Sequence, residues 1–197
     1  MCSNDSTMIL PKSHEDWEQL RSAYDDYYAP IDYGIFEILG PAMRGRGHAT
    51  IEDLDRIAFW KFGSWRHRKR IGSVRNKRLV RSLTSRVFGM DKEEAVDQVR
   101  LLGWEESGLD GFGVPMASAL LTVFNPKHYA VIDRYAWFTY ILLLHGKRQV
   151  KTGFTPTDYG HFVRYCRMRT EDLPGWTARE VEKALFMWAE DREFERE

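Results

Sequence analysis

Residues 111–133 read GFGVPMASALLTVFNPKHYAVID. Two glycines bracket one phenylalanine, a proline opens an apolar run, a second proline closes it, and the stretch ends on a single acid. Proline fits the first turn of a helix, where its missing N–H costs nothing, and a later proline ends one, so Pro115 to Pro126 has the form of a buried helix. The glycines ahead of it allow a tight turn with positive φ or the close approach of another surface.

Working outward, the same helical signals recur. A helix opens near Ser13 and is expected to end by Pro30. Thr50-Ile-Glu-Asp53 has the form of a capping box for a helix through Trp60. Gly63 and Gly72 break the next segment into a loop or short helix, and a better helix covers Asn76 to Phe88. A further box at Asp91 starts a helix that Gly103 stops. Asp133 starts an apolar helix ending at Gly146, whose composition suggests a central place. Residues 155–169 and 177–190 supply two closing helices, the second with a box from Thr177 to Glu180. No run of alternating apolar and polar residues bounded by hairpin turns occurs. The expected fold class is all-α, with residues 1–197 forming one domain.

Composition agrees with a packed core. Of the 197 residues, 43% are hydrophobic and 14% aromatic, enough apolar material to offset the chain entropy lost on folding. The longest apolar run, AWFTYILLL at 136–144, falls well short of the roughly 20 residues a bilayer-spanning helix needs. The first residues lack the basic start and apolar stretch of a secretory signal, so a cytoplasmic location is expected, on the nucleoid in a prokaryote. Two cysteines, Cys2 and Cys166, are too few for a disulfide framework or a cysteine-ligated zinc or iron–sulfur site. No pair of histidines has metal-site spacing and no nucleotide-binding glycine motif is present, so no metal or organic cofactor is expected.

The formal net charge is zero, yet the charges are segregated: residues 61–90 hold ten Lys or Arg and no acid. Local field rather than net charge decides whether phosphates are attracted. The segment WKFGSWRHRKR at 60–70 interleaves tryptophan with cations, a combination that suits nucleic acid: cations neutralise phosphate and indole stacks on bases. Lys61, Arg66, His67, Arg68, Lys69, Arg70, Arg75, Lys77 and Arg78 are the candidate contacts. A solvated helix face with core tryptophans is the plainer reading, and for Trp60, in helical register with Leu54, Ile57 and Ala58, the core is favoured. Lys61 at a helix end serves to satisfy carbonyls, to bind phosphate, or to reach the Asp133 region.

Asp133 has two compatible readings. Asp is a favoured N-cap, and a helix begins there. A helix N-terminus also keeps a carboxylate ionised, ready to stabilise developing positive charge.

Taken together, Leu109-x-Gly111-x-Gly113, the helix with Ala117, and an Asp twenty residues after the second glycine resemble the core of helix-hairpin-helix DNA glycosylases, over about residues 91–145. Residues 57–61 and 114–137 are also similar to uncharacterised bacterial and archaeal proteins grouped with that superfamily. The resemblance implies a compact glycosylase-like helical fold. It implies that Gly111, Phe112, Gly113 and Val114 form the hairpin that holds the backbone of double-stranded DNA through main-chain N–H groups, with Asp133 as the essential carboxylate. The implied activity is hydrolysis of the N-glycosidic bond of a damaged or modified base. Members that also cut the backbone place a Schiff-base lysine four residues after the first glycine; Pro115 stands there, which implies a monofunctional enzyme. A helix-hairpin-helix module that binds DNA without catalysis, in repair, defence or mobile-element biology, is the alternative.

Overall fold

The computed structural model describes residues 10–63 and 68–191, and among them every regular element is helical. Arg66 and His67 lie outside the described residues, and for Arg68 and Lys69 only the backbone is described.

Helix α1, His14–Tyr33, starts at a capping box between Ser13 and Asp16 and runs straight through Pro30. The expectation that Pro30 ends it is corrected. Pro30 lies on the exposed face, where the carbonyl left without its amide partner meets water and the ring displaces no packed neighbour. A π-helical turn at Gly34–Leu39 then leads into α2, Gly40–Arg46. Gly40 is required by packing: a Cβ there would lie 2.6 Å from the Val123 carbonyl oxygen. Helix α3, Ile51–Phe62, has the expected Thr50–Asp53 box and stops at Gly63 with φ of 60°. The short α4, Arg68–Ile71, and α5, Val74–Phe88, carry the basic segment.

The helix expected from Asp91 to Gly103 is three pieces. Asp91 caps a 3-10 turn at Lys92–Glu94, α6 covers Ala95–Val99, and a π-helical turn covers Arg100–Trp104. The wide turn brings Leu102 O to the N–H of Leu109 at 2.8 Å, so the chain folds back on itself there and enters the glycine hairpin.

Helix α7, Val114–Phe124, has nine of its eleven residues buried, so it is packed on all sides. Its polar residues are satisfied locally: Thr122 Oγ1 donates to the Ser118 carbonyl at 2.8 Å, and Ser118 Oγ donates to Pro115 O at 2.9 Å. Arg44 donates to the carbonyl of Phe124 at 2.9 Å, satisfying the helix's C-terminal end. Around this axis α2 and α3 pack on one side, while α8, Arg134–His145, α9, Pro156–Asp172, and α10, Ala178–Asp191, form a group with α1. Helix α10 is the hub of that group, touching α1, α8 and α9. One large cluster of buried side chains runs through both groups. Emptying it is costly: truncating a fully buried Leu such as Leu120 to Ala typically removes about 2–5 kcal/mol. No helix among the described residues is long and apolar enough to cross a membrane.

Candidate functional site

Asp133 is placed by two helices. The N–H of Ile132 donates to Ser118 Oγ of α7 at 3.1 Å, and the N–H of Val131 donates to Glu182 Oε2 of α10 at 3.4 Å. Held this way, Asp133 caps α8, its Oδ1 accepting from the N–H groups of Tyr135 and Ala136 at 2.9 Å each. Oδ2 is turned elsewhere. It accepts from Lys61 Nζ at 3.3 Å, and both side chains are mostly covered, with 10% of Lys61 and 19% of Asp133 exposed. One carboxylate thus serves as cap and ion-pair partner at once.

Lys61 and Asp133 border a cavity of about 170 Å³ whose aromatic walls are Tyr24, Tyr28, Trp60 and Phe186. Trp60, expected in the core, packs against it with one face, lines the cavity, and donates from Nε1 to Asp32 Oδ1 at 2.8 Å. The last turn of α3 therefore delivers a tryptophan and a lysine to the same hollow.

Behind them lies a buried charge cluster that sequence reasoning missed. Arg179, 4% exposed, donates to Asp32 Oδ2 at 3.0 Å, to the Tyr24 hydroxyl and to Glu182 Oε2. Its guanidinium also lies 4.9 Å from the Tyr24 ring centre, 5.1 Å from Phe36 and 5.6 Å from Trp60. Burial works against the Arg179 charge, but the Glu182, Tyr24 and Asp32 partners outweigh it and raise its pKa well above the ordinary value. Burial pushes the Glu182 carboxyl up; Arg179 pulls it down, while the charge of Asp133 pushes it up further. Arg179 and Glu182 reach the cavity wall, so the hollow is ringed by charges of both signs with aromatic faces between them. A second hollow of about 330 Å³ shares Arg179 but contains neither Lys61 nor Asp133.

The glycine hairpin does not line the cavity with Asp133. Gly111 takes φ of 77°, a conformation that favours glycine. The Phe112 side chain is buried, and its N–H donates to the Leu109 carbonyl. Phe112 is therefore withdrawn from the expected contacts: neither its ring nor its amide is available. The Val114 side chain is likewise core, leaving only its backbone to meet a phosphate. Gly113 is the N-cap of α7, and no side chain caps that end; Pro115 has no N–H and the Met116 and Ala117 N–H groups donate to the Gly113 carbonyl at 3.0 Å each, so only the Gly113 and Val114 amides are left for a phosphate.

Around the hairpin, Arg70 packs so closely that a Cβ on Gly111 would come within 2.9 Å of its Cβ. Arg75 is engaged with the hairpin itself, donating to the Glu106 carbonyl and lying 3.9 Å from Asp110. It is thus a brace rather than a free cation. Lys77, Arg78 and Arg81 are exposed along α5, and no acid among the described residues pairs with them. The histidine, cysteine, aspartate and glutamate side chains among the described residues form no group suited to a metal ion.

No protein-family model, curated protein or solved structure matches the chain.

Proposed function

We propose that this protein binds DNA and releases a damaged or modified base by cleaving its N-glycosidic bond, within a glycosylase-like helical fold. The observation that carries the reading is Asp133: it caps α8 and also borders an aromatic-walled cavity. Breaking an N-glycosidic bond builds positive charge on the sugar, and a fixed carboxylate opposite it stabilises that charge or orients water. The aromatic walls suit the flat faces of a nucleotide drawn out of the stack. Unpaired cations on α5 and the Gly113 and Val114 amides supply phosphate contacts.

Two measurements test this. DNA affinity against salt is expected to fall steeply, and replacing Lys77, Arg78 and Arg81 with Gln lowers the slope by about 1 for each lost phosphate contact. A flat response removes the nucleic-acid reading. Asp133→Asn keeps a good N-cap, since Asn caps helices as well as Asp. The variant is expected to fold and bind DNA normally while failing to release bases from damaged duplexes. Salt-dependent binding with no base release by the wild type identifies the chain as a DNA-binding module without catalysis.

A further inference from the structure

We propose that the buried charges Asp32, Arg179 and Glu182 are positioning residues, a strut that sets where Asp133 and Lys61 stand around the aromatic cavity. The inference rests on the base-releasing reading above and adds to it groups that act on Asp133 through other atoms. The contacts close a ring. From Asp133 the chain runs back to Val131, whose N–H donates to Glu182 Oε2 at 3.4 Å. Glu182 also accepts from Arg179, and Arg179 donates to Asp32 Oδ2 at 3.0 Å. Asp32 Oδ1 accepts from Trp60 Nε1 at 2.8 Å, and the next residue, Lys61, returns to Asp133 Oδ2 at 3.3 Å. Helices α1, α3 and α10 are thereby tied to the start of α8.

Stability alone does not call for such a cluster. Asp32 is 6% exposed, Arg179 4% and Glu182 1%, and a buried ion pair replaced on both sides by well-packed apolar residues is often as stable or more so. Apolar contacts are non-directional, whereas hydrogen bonds between buried charges fix distance and angle. The cap contacts to Tyr135 and Ala136 orient the Asp133 carboxylate within α8, and Ser118 ties Ile132 to α7. The strut supplies the remaining tie, to α10 and α1 and, through Trp60, to α3. Misplacing a reacting group by 1 Å costs about 10²-fold in rate, so this tie bears directly on the chemistry. Asp32 separates positioning from contact. It does not border the cavity that holds Asp133, so an effect of its substitution on chemistry there must travel through its partners. Asn cannot replace it: Trp60 Nε1 and the Arg179 guanidinium are both donors, and the amide offers only one oxygen, so one link breaks whichever way it turns.

The test is single-turnover base release by the full-length protein, in excess over duplexes that each carry one oxidised, alkylated or deaminated base. On the duplex that the wild type cleaves, Asp32→Asn is expected to lower the saturated rate constant about 10- to 100-fold while DNA affinity stays unchanged. An unfolded fraction raises the protein concentration needed to saturate the DNA but leaves the saturated rate constant as it was, so that constant distinguishes positioning from mere destabilisation. The wild type supplies a second measurement, which stands even if Asp32→Asn does not fold. Hydrogen exchange of the Trp60 indole N–H and the Val131 amide, read by NMR, is expected to require global unfolding. Faster exchange at either group would show that the ring opens within the native state and overturns the proposal. An unchanged saturated rate constant in Asp32→Asn also overturns it and leaves the base-releasing reading intact, whereas absence of base release by the wild type rejects that reading and the role of the strut with it.

Discussion

Asn76 grips Asp110 with both ends of its amide. Oδ1 accepts from the Asp110 N–H at 2.8 Å, and Nδ2 donates to the Asp110 carbonyl at 3.0 Å. The same Nδ2 reaches the carbonyls of Arg70 and Ile71 at 3.1 and 3.0 Å. Ser73 adds a hydrogen bond to Asp110 Oδ2 at 2.8 Å. The basic segment and the glycine hairpin, separate in sequence, are thereby joined through one fully buried side chain. A phosphate bound at the hairpin would meet cations in a fixed geometry.

Asn76→Ala is expected to cost about 3 kcal/mol, because several buried backbone groups lose their partner together and each unsatisfied group is worth ~1–3 kcal/mol. Urea denaturation checks this. A loss of under about 0.5 kcal/mol, the size of an ordinary surface change, would show that the latch is not what joins the two segments.

Gly103→Ala tests the return of the chain into the hairpin. A Cβ there would lie 1.6 Å from the Phe112 carbonyl oxygen, with backbone on both sides of the clash. In an exposed helix the same exchange stabilises by roughly 1 kcal/mol; here the sign reverses and the melting temperature falls by many degrees. Gly153→Ala, with nothing within 4 Å of the added carbon, serves as the control and should leave the melting temperature unchanged.

Local signals carried the helices well. The Thr50–Asp53 and Thr177–Glu180 boxes close reciprocally, and Asp133 caps α8. These are short-range contacts written in adjacent residues, so the sequence states them directly. The departures have non-local causes. Nothing near Pro30 announces that the helix continues, since that depends on which face meets solvent. The π-helical turns at 34–39 and 100–104 insert a residue into a periodic pattern and blur it. Of the candidate site, Asp133 and the possible reach of Lys61 toward it were legible, but the pairing joins α3 to the start of α8. The Arg179 cluster draws on α1, α3 and α10. One signal pointed to it: Glu182 sits among Ala178, Val181 and Leu185 on the buried face of α10, and a charge on an apolar stripe normally implies a buried partner.

Arg179→Met removes the countercharge of two buried acids, Asp32 and Glu182. Breaking a buried ion pair from one side costs about 3–5 kcal/mol, and that loss is expected near neutral pH. The pH dependence follows from Glu182. Its folded carboxyl is raised by burial, with Arg179 pulling the other way and Asp133 adding to the rise. Without Arg179 it rises further. In the window from the unfolded value of 4.5 up to the folded one, the native state holds the extra proton, so stability falls as pH rises. The variant's deficit therefore narrows as pH is lowered toward 5. Denaturation curves at several pH values check this, and a deficit independent of pH would show that packing rather than charge dominates.

His128 provides the opposite slope. Burial holds its pKa below the usual 6.5, and the Lys92 and Arg167 charges reinforce the effect against the weaker pull of Glu93. The Arg167 Nε also donates to the His128 carbonyl at 2.7 Å, fixing that cation beside it. Between the folded value and 6.5 the unfolded chain binds a proton that the native chain does not, so stability drops as pH is lowered through that window and levels off below it. His128→Gln, which cannot titrate, is expected to lose less stability than the wild type between pH 7.5 and 5.5. Urea midpoints for the two proteins at matched ionic strength measure the difference. Parallel curves would mean that protonation of His128 is no part of the acid sensitivity of this end of α7, and would shift attention to the Arg167–Glu93 contact at 3.2 Å.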